Sequence, residues 1–130
     1  MFKGKNTRTG EIVAIKQIEN VFKNHSVALS ALRELSIMRQ LTKMGTNGHL
    51  PKLFDALVSQ MDDNTTSLFL VMEYYPTDLD CLLEKSTESS LSEKDVIGLV
   101  YSLLCALNFL HSSGVIHRDI KPSNLLVCKN

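Results

Sequence analysis

Between Val96 and His111 the chain places apolar residues on almost every bearing of a helix. Val96, Ile97, Leu99, Val100, Leu103, Leu104, Ala106, Leu107, Phe109 and Leu110 cover most of the circumference. A helix apolar on nearly all sides is expected to be buried on nearly all sides. Burying one Leu or Phe side chain stabilises by roughly 1.5–3 kcal/mol, so leaving half of them in water is costly on the scale of a domain's net stability of about 5–15 kcal/mol. This helix therefore demands cover on nearly all its sides. Yet only a loop and a short strand, Leu125 to Cys128, follow it in the sequence. Leu91-Ser92-Glu93-Lys94-Asp95 before it sets a Ser three residues ahead of an acid, close to a capping box. Ser112-Ser113-Gly114 closes it with a residue that accepts positive φ.

The half of the chain before this helix has a different period. Glu11 to Ile18 is β-branched and nearly alternating, with Thr9-Gly10 as a turn ahead of it, and reads as a strand carrying Lys16 between two isoleucines. Ser26 to Leu41 repeats apolar residues at a helical period, with Ser26 in the capping position and Glu34 within it. Gly45 to Gly48 breaks that helix. Leu53–Ser59 and Ser67–Tyr74 read as two strands of a hairpin about the polar turn Asp62 to Thr66. The second strand is apolar on both faces and so central. Pro76 ends it. A short helix is expected over Asp78 to Lys85 and a polar linker over Ser86 to Ser90. By composition alone, Lys16 is a solvated strand charge and Glu34 an exposed helix charge. His49 is a turn-packing histidine, with no second ligand near it in sequence.

Chemistry concentrates in Val115-Ile116-His117-Arg118-Asp119-Ile120-Lys121-Pro122-Ser123-Asn124-Leu125-Leu126-Val127. A base, a cation and an amide stand within six residues on a proline-bent backbone, between apolar flanks. A carboxylate five residues ahead of an Asn is common. His-Arg-Asp with a Lys two residues on and an Asn five residues on is not.

This stretch resembles the catalytic loop of eukaryotic protein kinases, and Val13-Ala14-Ile15-Lys16 resembles their ATP-gripping strand. The resemblance implies that Asp119 is the catalytic base, Lys121 a point charge on the γ-phosphate, and Asn124 a neutral oxygen ligand for Mg²⁺. It implies that Lys16, held by Glu34, grips the α- and β-phosphates of ATP. Met72-Glu73-Tyr74-Tyr75-Pro76 resembles the hinge, with Met72 the gatekeeper beside the adenine and main-chain groups of Glu73 and Tyr75 on the adenine edge. Asp78 would reach the ribose, and Ala14, Ser123 and Leu126 complete the implied ATP site. His117 is implied to pack rather than to act as acid or base, and Arg118 to meet an activation-loop phosphate. Lys121 resembles the Ser/Thr type. Thr77-Asp78-Leu79 with Ser123 looks like the mitogen-activated branch of the CMGC group; cyclin-dependent kinases share the Lys16 strand but usually differ at Ser123. The Gly-rich loop and the Asp-Phe-Gly segment of such kinases are not among these residues, and Gly4 and Gly10 do not make the former. The expected fold class is therefore α+β and protein-kinase-like. An incomplete N-lobe of antiparallel sheet and one helix is expected over 1–75, and the first part of a helical C-lobe over 76–130. The resemblance implies a truncated catalytic domain, inactive by itself; the alternative is a non-catalytic, kinase-derived fragment that binds partners through its long apolar helix.

Bulk properties agree with that class. The length of 130 residues suits one domain, and fourteen basic against fourteen acidic side chains give no excess charge for a nucleic-acid or membrane-surface partner. No apolar run approaches the roughly 20 residues that span a bilayer, and Met1 to Gly10 lacks a signal peptide's apolar core. Cys81, Cys105 and Cys128 have no metal-ligand spacing and read as reduced thiols, which places the protein in the cytoplasm or nucleus. The implied partners are a protein substrate bearing Ser or Thr and an upstream activating kinase.

Overall fold

A computed structural model of the chain describes residues 1–45, 48–60, 65–84 and 91–128. Residues Asp62 to Asn64 of the expected turn Asp62 to Thr66, and the expected linker Ser86 to Ser90, lie outside these. The chain divides into two compact units, Met1–Thr46 with Pro51–Tyr74 and Asn47–Leu50 with Tyr75–Asn130.

The first unit is an antiparallel sheet with one helix. Its strands are β1 (Phe2–Lys5), β2 (Ile12–Ile18), β3 (Leu53–Gln60) and β4 (Thr66–Glu73), in the order β1-β2-β4-β3. β4 is the inner strand that its unbroken apolar run requires: Leu68, Leu70 and Met72 are buried, Leu70 completely. Register places Ala14 opposite Met72 and Lys16 opposite Leu70. Because directly paired residues share a face, Ala14, Lys16, Leu70 and Met72 look the same way. On that side lies α1 (His25–Met44), whose Ala31 joins Ala14, Val21, Leu68, Leu70 and Met72 in one core.

The helix is capped by Asn24 rather than Ser26. Asn24 is in extended backbone and its Oδ1 accepts the Val27 N–H at 2.9 Å. Both residue types cap well, and the cap falls two residues earlier than the apolar period suggested. Gly45, at φ 81°, ends the helix and donates its N–H to the Thr42 carbonyl.

The second unit contains α2 (Leu79–Glu84), α3 (Glu93–Ser112), a 3₁₀ turn at Pro122–Asn124 and a two-stranded ribbon of β5 (Thr77–Asp78) and β6 (Leu126–Val127). Ser92 and Asp95 form the reciprocal capping box at the start of α3. His49 packs edge-on to the Tyr101 ring, 6.5 Å between centroids.

The expected all-round burial of α3 is not found. Only Ala106 and Leu110 are buried, and Ile97, Val100 and Leu104 are more than half or about half exposed at 61%, 50% and 59%. The described residues that follow the helix are a loop and a two-residue strand, too few to lie on both its sides. The apolar-run count also understated this helix. By length and composition alone it is long and apolar enough to cross a bilayer, although polar residues such as Ser102 and Asn108 interrupt its apolar run.

Candidate functional site

In the first unit, β2 presents Lys16 on the core side of the sheet and α1 presents Glu34 to it. Lys16 Nζ lies 2.6 Å from Glu34 Oε1. The two residue types that composition alone would leave in water are thus paired, each side chain about a third exposed. Ala14 and Met72, opposite one another, form a closely packed apolar floor beside them. Glu73 has a different duty for its side chain. Its N–H donates to the Lys52 carbonyl at 2.9 Å and its Oε2 accepts the Lys52 N–H at 3.3 Å, which braces the end of β4 against the approach to β3. Lys3 was not foreseen: its ammonium lies 4.9 Å from the centre of the Tyr74 ring, a cation–π contact. Residues so distant in sequence meet through strand register, which no local motif reports.

In the second unit the stretch from His117 to Asn124 is drawn into a loop closed by its own hydrogen bonds. Arg118 adopts φ 68°, rare for a residue with a side chain and found where a loop is held for function. That reversal lets the Asp119 N–H donate to His117 Nδ1 at 3.3 Å. His117 is exposed, so its role here is to hydrogen-bond the loop rather than to fill a core. The 3₁₀ turn, opened by Pro122, brings Asn124 back onto Asp119. The Asn124 amide nitrogen donates to the Asp119 carbonyl at 2.8 Å and to Asp119 Oδ2 at 2.9 Å. Lys121 Nζ lies 3.1 Å from the same Oδ2. The Lys121 hydrogen bond first, then that of Asn124, hold the Asp119 carboxyl below the usual carboxylate range, with smaller help from the charge of Lys121.

The ribbon anchors this loop. Asp78 pairs with Leu126 and Thr77 with Val127, and the Leu79 N–H donates to the Leu125 carbonyl at 2.8 Å. Asp78 also caps α2, its Oδ1 accepting the Cys81 N–H at 2.8 Å. Ser123 lies in the 3₁₀ turn, exposed, and Leu126 is about half exposed on β6. Tyr75 is half-buried at the start of the unit.

The donor set suits the groups a kinase uses. Because its nitrogen serves Asp119, the Asn124 amide leaves its oxygen for a hard cation, and Mg²⁺ is typically held by one or two protein oxygens together with phosphates and water. Lys16 offers an ammonium already oriented by a carboxylate, as a phosphate grip requires.

The protein kinase domain family model matches residues 1–130. The chain belongs to the protein kinase family and is a segment of its catalytic domain. Its similarities place it in the CMGC group, beside both mitogen-activated and cyclin-dependent kinases. It is 38% identical over 125 residues to mitogen-activated protein kinase 7 of Arabidopsis thaliana, covering 96% of this chain and 32% of that protein. It is 35% identical over 129 residues to cell division control protein 2 homolog D of Antirrhinum majus, covering 98% of this chain and 40% of the relative. Cyclin-dependent kinase B2-1 of Arabidopsis thaliana is 32% identical over 129 residues, with the same coverage. The chain thus spans about a third to two fifths of the length of these relatives. Family membership also makes α3 a helix of a globular catalytic domain rather than a bilayer span.

Proposed function

We propose that this segment serves a protein serine/threonine kinase that moves the γ-phosphate of ATP to a Ser or Thr hydroxyl of a protein. The observation that carries the reading is the Asp119–Lys121–Asn124 cluster, a base, a cation and a metal-ready amide held by mutual hydrogen bonds. Phosphoryl transfer leaves the protein little covalent work beyond positioning and charge neutralisation. Asp119 orients the substrate hydroxyl and accepts its proton at a carboxylate oxygen. Its lowered pKa keeps it ionised, so it is always ready to accept, and a weak base suffices where the proton leaves late. Lys121 moves from Asp119 to the incoming phosphate as charge develops there. Lys16, fixed by Glu34, holds the nucleotide phosphates, Ala14 and Met72 flank the adenine, and main-chain groups of Glu73 and Tyr75 with Asp78 complete the nucleotide contacts. Mg²⁺, when bound through the Asn124 oxygen, supplies neutralisation of phosphate charge.

The chain of 130 residues is proposed to be inactive alone, since neither a Gly-rich loop nor an Asp-Phe-Gly segment is among them. A phosphotransfer assay on the purified chain should show no turnover. Turnover that Asp119→Asn abolishes would overturn that statement. In a complete catalytic domain carrying this segment, Ser and Thr peptides should be phosphorylated and Tyr peptides not; the reverse preference would refute the substrate class. The relatives' names support an upstream activating kinase or a cyclin as regulatory partner. The exposed apolar side of α3 favours a second reading, a kinase-derived interaction segment without catalysis. That reading predicts that Asp119→Asn leaves its biological effect intact.

A further inference from the structure

The pair Lys16–Glu34 needs more than its own attraction to keep its geometry. Both side chains are about a third exposed, and an isolated pair of that kind is worth little. Something must fix the rotation of α1 so that Glu34 faces β2. The inward stripe of the helix is Ala31, Glu34, Leu35, Met38, Leu41 and Thr42, all buried or half-buried. Apolar contacts along such a stripe are non-directional and tolerate some rotation. Thr42 is the stripe's second polar member, roughly 12 Å beyond Glu34 along the axis at about 1.5 Å per residue. Its Oγ1 accepts the Leu53 N–H at 3.0 Å.

That N–H is an unusual donor. A bulge between Leu53 and Asp55 interrupts the β3–β4 ladder there. Leu53 pairs with Met72 on the edge strand β3 and is half-buried, and a half-buried amide that takes no ladder bond needs a partner. Thr42 supplies it while its own carbonyl receives the Gly45 N–H that ends the helix. One residue thereby ties the last turn of α1 to β3. β3 is in register with β4, and β4 with the Lys16 strand, through Ala56, Leu70 and Lys16. The helix is thus held to the sheet by directional bonds at two points on one stripe.

We propose that Thr42 is a positioning residue for the phosphate-gripping lysine: its bond to the Leu53 amide sets the rotation of α1 that delivers Glu34 to Lys16. The relevance to ATP rests on the function proposed above, but the coupling itself does not, and it is tested without nucleotide. Limited acetylation by an N-hydroxysuccinimide ester, read residue by residue by mass spectrometry, reports how well the Lys16 amine is engaged relative to Lys3, Lys5 and Lys43 in the same sample. Thr42→Val keeps the shape and removes the acceptor, and Lys16 should acetylate at least threefold faster than in the wild type. Thr42→Ser keeps the hydroxyl and should restore the wild-type rate. Leu41→Ala loosens the same turn without touching the bond and should leave Lys16 within about 1.5-fold of wild type. Unchanged Lys16 reactivity in folded Thr42→Val, or an equal rise in Leu41→Ala, would overturn the proposal. Should Thr42→Val not fold, hydrogen exchange in the wild type decides. A Leu53 amide protected like the β-ladder amides supports the tie, and one that exchanges like an exposed loop amide refutes it.

Discussion

Lys16 and Glu34 stand 18 residues apart in sequence and 2.6 Å apart in space. The contact forms because β2 turns the amine toward α1 and the helical stripe turns the acid toward β2. Neither partner is deeply buried, so the pair's value lies in orientation. Glu34→Gln is expected to lower stability by less than about 1 kcal/mol, since partly exposed ion pairs are screened by water. Urea unfolding checks this; a loss of several kcal/mol would mean the pair is a structural anchor.

The cap of α1 offers a sharper comparison. Asn24→Ala removes the bond to the Val27 N–H and should cost about 1 kcal/mol. Ser26→Ala, one residue inside the helix, should stay within about 0.5 kcal/mol of wild type. Thermal melts of the two variants separate them.

Core position differs from apolar character in this chain. Leu70 is fully buried, so Leu70→Ala should destabilise by roughly 2–5 kcal/mol. Leu104, more than half exposed on α3, should tolerate the same change within about 0.5 kcal/mol. Leu104→Glu should also reduce self-association, measured by light scattering, because it breaks an exposed apolar stripe.

Asp119 should titrate below its ordinary value of 3.8, as its hydrogen bonds from Lys121 and Asn124 favour the charged form. The sign follows from the lowered value. The contribution to loop stability is complete above the ordinary Asp range and is lost as pH falls through the folded-state value. Lys121→Met should move the carboxyl's midpoint upward, because the largest of its causes is removed. Carbon-detected NMR titration of the side chain measures both.

The sequence was most legible where the chemistry is contiguous. Asp119, Lys121 and Asn124 lie within a single turn of chain, so residue type and spacing alone place them together. The β3–β4 hairpin and the central place of β4 followed from its unbroken apolar run. Pairing of Lys16 with Glu34 needed the kinase resemblance, because strand register and helix rotation decide it together. Thr42 and Lys3 gave no signal: a lone Thr at a helix end and a lone Lys on a strand are ordinary surface residues until a neighbouring segment arrives. The burial of α3 was misjudged for a related reason. Periodicity states which side chains want to be covered, not whether enough chain is packed against them to do it.

The most direct measurement is single-turnover transfer of the γ-phosphate by a complete catalytic domain containing this segment, wild type against Asp119→Asn. The substitution keeps the size of the side chain and removes the proton acceptor. The expected result is a fall in transfer rate of roughly 10²–10⁴-fold with the KM for ATP within about twofold of wild type. A variant that transfers phosphate at the wild-type rate would contradict the assignment of Asp119 as the base, and with it the reading of the whole loop.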